Sequence, residues 1–125
     1  MASELSEQVL KRQRAALEGR RRELASDIQL HLEQSDSEHY AGLANQVGDL
    51  EDRALADLLV DSNLTMIHRD IEELRETHAA LHRIEQGTYG ICVQCEAEIA
   101  PDRLEAYPTA TRCHDCQRAH EAEYG

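Results

Sequence analysis

Phenylalanine and tryptophan are absent from this 125-residue chain, and tyrosine occurs only four times. Without large aromatic side chains a thick globular core is out of reach, so elongated packing, a bound metal, or both must supply the stability. No apolar run approaches the ~20 residues needed to cross a bilayer. The N-terminus shows neither the charged n-region nor the apolar h-region of a secretory leader. The expectation is a soluble, cytoplasmic protein with no membrane partner. Lysine is nearly missing as well, with Lys11 alone against twelve arginines. There are no internal repeats and no low-complexity segments. Nor is there a nucleophile–base pattern or a phosphate-binding loop, so no hydrolytic or transfer enzyme is visible. The length suits one domain, or a small module with an extension.

What the chain has in excess is negative charge, with a formal net of −12. That balance argues against sequence-specific DNA contact, because phosphate binding needs a basic footprint. One stretch runs the other way: Lys11, Arg12, Arg14, Arg20, Arg21 and Arg22. Its plainest reading is a solvated helix face paired with nearby glutamates. A partner contact is the alternative.

The four cysteines form two CxxC pairs, Cys92–Cys95 and Cys113–Cys116, separated by seventeen residues. Each pair sets two sulfurs on one knuckle, and two facing knuckles make a tetrahedral site for one structural Zn²⁺. Disulfides and iron–sulfur or redox roles are the competing readings. A reducing cytosol favours thiolate ligands over disulfides. Four sulfurs would close the shell and leave no position for a reactive water. Four thiolates and one Zn²⁺ would make the net charge more negative still. His114 and His120 lie nearby and read as exposed or supporting residues. His78 and His82 have metal spacing, but His78 falls on a helix seam, where a partner across the seam is the better reading.

Val60, Leu64, Ile67, Ile71, Leu74, His78 and Leu81 alternate spacings of four and three. That places them on one seam of a helix running from about Asp52 to a stop at Gly87, ~50 Å at 1.5 Å per residue. A first helix spans roughly Glu4 to Gln34, with a stripe of Leu10, Leu17, Leu24 and Ile28. Arg14 and Arg21 interrupt that stripe. Neither helix is stable with its stripe exposed, so the two should pair as an antiparallel hairpin. Ser35 to Gly48 reads as the turn region. The expected fold class is therefore mainly α: a long antiparallel helical hairpin (coiled coil) over residues 1–87 and a four-cysteine zinc-finger region over 88–125. In the second region, Glu98-Ile99 and Arg103 to Ala106 read as short strands around Pro101-Asp102, and Gln117 to Tyr124 as a short terminal helix.

The return helix begins Asp49-Leu50-Glu51-Asp52-Arg53-Ala54. Asp49 makes a good N-cap, and Glu51 and Asp52 complement the positive end of the helix dipole. The same carboxylates, at the end of a long hairpin, are also placed to enter a basic or metal-containing cavity.

Asp49-x-x-Asp52-x-Ala54 resembles the DxxDxA tip motif of the DksA/TraR family. Gly90-Ile-Cys92-Val-Gln-Cys95, followed by Ile99, Arg103-Leu104, Ala106, Pro108 and Cys113-x-x-Cys116, is similar to that family's zinc finger. The resemblance covers about 47–116 by motif and the first helix by pattern. It implies a monomeric regulator that binds bacterial RNA polymerase through the secondary channel and modulates initiation. Asp49 and Asp52 would be the effector acids, Ala54 the small residue that admits the tip, and the four cysteines the zinc ligands.

The chain departs from the family pattern in two places. The resemblance implies that one member of the family uses basic residues on the return helix and around the finger to help bind guanosine tetraphosphate. The matching positions here are Glu76, Tyr107 and Gln117, which argues against direct dependence on that nucleotide, although Arg75 is adjacent. The usual glycine after the first CxxC is Glu96, which should loosen the knuckle. The runner-up function is a zinc-ribbon adaptor with a coiled-coil spacer or dimerisation arm. A thiol redox or zinc-store protein is third.

Overall fold

The computed structural model describes residues 6–34 and 67–124. Four helices occur among them: α1 (Glu7–Glu33), α2 (His68–Gln86), α3 (Pro101–Ala106) and α4 (His114–Tyr124). The described residues contain no strand, only one isolated antiparallel bridge between Ile91 and Glu98. The expected tip near 47–54, the turn region 35–48, the seam positions Val60 and Leu64 and the expected start of the return helix lie outside the described residues.

Local sequence sets the helix ends. Ser6 caps α1, its hydroxyl accepting from the Val9 amide at 3.2 Å, while Glu7 sits at the positive end of the dipole. α2 stops at Gly87, whose φ of 75° lies in the left-handed region. There the Thr88 amide reaches the Arg83 carbonyl at 2.9 Å and the Gly87 amide reaches that of Ile84 at 3.2 Å. This pair of bonds is the Schellman closure, and glycine permits it without a Cβ clash.

The segment read as a strand at Arg103 to Ala106 is instead helical. Proline at the first helical position needs no amide donor, its ring presets φ, and Asp102 complements the dipole. These local terms outweigh the weak alternation that suggested a strand. The terminal helix includes Gln117 to Tyr124 and begins on the second CxxC, at His114.

The chain divides into two compact units, one holding 1–17 with 79–125 and the other 18–78. Each therefore joins part of α1 to part of α2, start with end and end with start, which is the pairing of an antiparallel hairpin.

In the unit 18–78, Leu24, Ile28, Leu32, Ile67, Ile71 and Leu74 are all buried. Arg20 clasps the Glu73 carboxylate with two bonds, at 2.5 and 2.9 Å, and also reaches Glu23 at 3.0 Å. Hydrogen bonding from Arg20 holds the Glu73 carboxyl below its ordinary value. Thr77 is buried too, its hydroxyl turned back onto the Glu73 carbonyl at 2.8 Å.

The other unit packs Leu17, Ala80, Ile84, Tyr89, Cys92, Ile99 and Leu104 into one core, with Leu10 and Leu81 against it. Two seam expectations shift here. Arg14 is exposed, and Gln13 is the buried residue between Leu10 and Leu17. On α2, Thr77, Ala80 and Ile84 are buried, whereas His78 and Leu81 are half-buried. A straight helix turns every 3.6 residues, so a seven-residue seam drifts by about 20° per heptad and the buried face moves off the heptad positions.

Candidate metal centre

Two loops carry the cysteines, and backbone bonds fix both. On the first, the Cys92 amide donates to the Ala97 carbonyl at 2.8 Å, the Glu96 amide to that of Cys92 at 3.0 Å, and the Ile99 amide to that of Gly90 at 2.8 Å. This turn forces Glu96 to a φ of 62°. Left-handed backbone costs a non-glycine residue roughly 1–2 kcal/mol. The glycine-to-glutamate departure therefore strains the knuckle without opening it. The second loop is tied to the first by the Val93 amide on the Thr111 carbonyl at 2.9 Å. Arg103 Nε donates to the Arg112 carbonyl at 3.0 Å, and Arg112 Nε to Gln94 Oε1 at 3.1 Å. α4 starts directly on this loop, and the Cys116 amide points at Cys113 Sγ, 3.5 Å away.

The result brings Cys92, Cys95, Cys113 and Cys116 together, with all four sulfurs within 4.8 Å of one another. Cys95 and Cys113 stand 3.8 Å apart. A disulfide needs about 2.05 Å. A tetrahedron with metal–sulfur bonds of about 2.3 Å has edges of about 3.8 Å. The spacing thus fits a shared ion and not a bridge. No other cluster of potential ligands occurs among the described residues, and neither His114, exposed on α4, nor His82 belongs to this one.

Electrostatics agree with a cation at the centre. Burial pushes the Cys92 thiol up, but the backbone amides of Cys95, Cys113 and Gln94 more than offset it, bringing the thiol down to about 6. Cys116 moves the other way, up to about 12, because Cys113, Cys95 and Cys92 crowd it with sulfur. Four thiolates this close need a divalent charge between them. The chemistry of the donor set suits a soft structural ion with a closed shell.

Packed in the same core is Tyr89, 1% exposed. Its hydroxyl donates to the Pro108 carbonyl at 2.8 Å and accepts from Gln13 Nε2 at 3.2 Å. The same Gln13 nitrogen donates to the Leu104 carbonyl at 2.6 Å. Gln13 and Tyr89 thus join α1 to the cysteine region. Sequence reasoning passed over both. The signal was available: Gln13 lies on the Leu10–Leu17 stripe, and in a chain so poor in aromatics each tyrosine is a core candidate.

Residues 87–122 match the family model described as the prokaryotic DksA/TraR C4-type zinc finger. An uncharacterised protein of Aquifex aeolicus is 36% identical over 107 residues, 82% of this chain and 72% of that protein. The chain belongs to the DksA/TraR family. Its cofactor is one structural zinc ion, as the C4 finger and the sulfur spacing require. The RNA polymerase-binding transcription factor DksA of Caulobacter vibrioides is 36% identical over 91 residues, which is 73% of this chain and 58% of that protein's length. The structure of transcription factor DksA2 from Pseudomonas aeruginosa superposes with a TM-score of 0.65 at 25% identity. That match covers 95% of this chain and 88% of the other.

Asp49, Asp52 and Ala54, expected as tip residues, lie outside the described residues. Glu76, Tyr107 and Gln117, the positions that the resemblance matched to basic nucleotide-contacting residues, carry no basic side chain. Glu76 is exposed, and its carboxyl is pushed up by partial burial and by its neighbours Glu72 and Glu73. Tyr107 is exposed beneath the Arg103 guanidinium, 5.6 Å from the ring centre. Gln117 is half-buried on α4.

Proposed function

We propose that this chain binds bacterial RNA polymerase and regulates transcription initiation through its secondary channel, without sequence-specific DNA contact. In this reading Cys92, Cys95, Cys113 and Cys116 hold the zinc ion and brace the helical hairpin. Asp49 and Asp52 act at the active-site end of the channel, and Ala54 leaves room for their approach. The observation that carries the reading is the similarity to RNA polymerase-binding DksA together with a fold match over nearly the whole chain. The acidic surface supports it, since a net charge of −12 opposes duplex binding. The acid at Glu76 and the uncharged Tyr107 and Gln117 favour action without direct guanosine tetraphosphate binding.

The Asp49→Asn, Asp52→Asn double variant tests the reading. It should keep its helical content, its zinc and its affinity for core polymerase, and lose its effect on open-complex lifetime and on transcript yield. Transcription effects equal to those of the unaltered chain would overturn the tip assignment. Failure of the unaltered chain to bind core polymerase would overturn the function itself.

A further inference from the structure

The two cysteine loops are fixed in part by residues that carry no sulfur. Tyr89 lies three residues before Cys92, and its hydroxyl donates at 2.8 Å to the carbonyl of Pro108, five residues before Cys113. One side chain thus ties the approach to both CxxC pairs. Beyond Pro108 the chain is held almost residue by residue. The Ala110 amide donates to the Tyr107 carbonyl, the Thr111 carbonyl accepts from the Val93 amide, and the Arg112 carbonyl accepts from Arg103 Nε. A displacement at Pro108 is therefore handed on to Cys113.

Gln13 secures this tie from outside the stretch 87–122 that matches the family's finger. Its Nε2 donates both to the Tyr89 hydroxyl and to the Leu104 carbonyl. Around these bonds lies one core. Leu17 and Cys92 belong to it, and Leu10, Cys113 and Cys116 pack against it. Three of the four zinc-ligating residues thus share a core with the first part of α1, which supplies no ligand. A buried amide stripped of its partners is costly, so the start of α1 cannot stay docked on a finger whose Leu104 and Pro108 have moved away.

We propose that Gln13 and Tyr89 are positioning residues of the zinc site, and that zinc occupancy and the docking of residues 7–17 of α1 are one linked equilibrium. Helix α1 is then a third wall of the metal centre, acting through hydrogen bonds on the loops that present the sulfurs. Linkage makes the effect reciprocal: the factor by which a loaded finger favours docking of 7–17 is the factor by which docking raises zinc affinity. The inference stands on the metal centre alone and does not depend on which partner the chain binds.

The test uses the full chain and measures Zn²⁺ affinity in competition with a chromogenic chelator, for the unaltered chain, Gln13→Leu, Tyr89→Phe and the double variant. Each single change should weaken zinc binding by about tenfold. The double variant should also lose no more than about tenfold, rather than the roughly hundredfold of independent residues, because both changes cut one network. Two controls should stay within about twofold of the unaltered chain: Arg14→Gln, exposed beside Gln13, and Leu74→Ala, buried in the other unit. In the unaltered chain, zinc removal should speed amide exchange at Leu10 to Leu17 by at least about tenfold and leave Leu24 to Leu32 unchanged. Circular dichroism of the zinc-loaded variants should match that of the unaltered chain. If Gln13→Leu loses helix, Tyr89→Phe, which keeps the ring, carries the test. Equal zinc affinity in all variants, or exchange at Leu10 to Leu17 that ignores zinc, would overturn the proposal. A loss in Leu74→Ala as large as in Gln13→Leu would reduce the effect to general stability and overturn it as well. A double variant weakened by the product of the single effects would separate the two residues and overturn the shared tie.

Discussion

The two units stabilise themselves by different means. In 18–78 the core is aliphatic, Leu24, Ile28, Leu32, Ile67, Ile71 and Leu74, and its charged clasp Arg20–Glu73 is more than a third exposed on both partners. In 1–17 with 79–125 the core mixes aliphatic groups with Tyr89, a buried amide at Gln13, backbone carbonyls and sulfur. The first needs only two apolar stripes. The second needs each polar group to find its partner, since an unpaired buried polar group costs about 1–3 kcal/mol. Redundancy in one unit and interdependence in the other should be measurable.

Zinc removal should divide them most sharply. Structural zinc supplies roughly 10–16 kcal/mol of apparent binding energy near neutral pH. Chelation, or Cys92→Ser, should abolish amide protection across 88–124 while Leu24 to Leu32 and Ile67 to Leu74 keep theirs in hydrogen exchange. Simultaneous loss in both units would break the comparison. Next come the cores. Leu104→Ala and Leu74→Ala should each cost about 2–5 kcal/mol in denaturant titration, with Leu104→Ala alone also weakening zinc retention. Tyr89→Phe keeps the ring but strips the Pro108 carbonyl and Gln13 of a partner. It should cost about 1–3 kcal/mol, most of it regained if Gln13 is also replaced by leucine.

Smaller effects sharpen the contrast. Glu96→Gly removes left-handed strain at φ 62° while adding backbone entropy to the unfolded chain, and should stabilise the finger by about 0.5–1 kcal/mol. The Arg20–Glu73 clasp should matter least. With both groups this exposed, Glu73→Gln should cost under about 1 kcal/mol and less in high salt. Glu73 titrates below its ordinary 4.5 in the folded chain. Its contribution is therefore present above that value and disappears as pH falls through the lowered one. Wild type and Glu73→Gln should thus converge in stability only once the pH has fallen below the lowered Glu73 value, and a gap that persists in stronger acid would show that the clasp is not electrostatic.

Legibility in sequence follows the same division. Ile67, Ile71 and Leu74 were found by period alone, because an aliphatic seam is what periodicity reports. The four sulfurs were found by spacing, because metal geometry demands it. Gln13 and Thr77 escaped because a polar residue on a seam looks like an interruption until its bonding partner is seen. The helix at Pro101–Ala106 escaped because a six-residue segment is too short to show a period. Its N-terminal proline was the better guide. Glu96 was recognised only as a departure from a familiar pattern, and the backbone angle supplies its physical meaning.

Gln13 bonds the carbonyl of Leu104, ninety-one positions further along the chain. A ribosome releases residues in order, at about 5–20 per second. Everything the span 18–78 requires has been synthesised well before that carbonyl exists. The N-terminal end of α1 must therefore wait, its stripe uncovered, until Leu104 has been made. Birth order thus makes the metal-bearing unit the later of the two to close, and a nascent chain stalled before Cys113 would carry an open, zinc-hungry half-site.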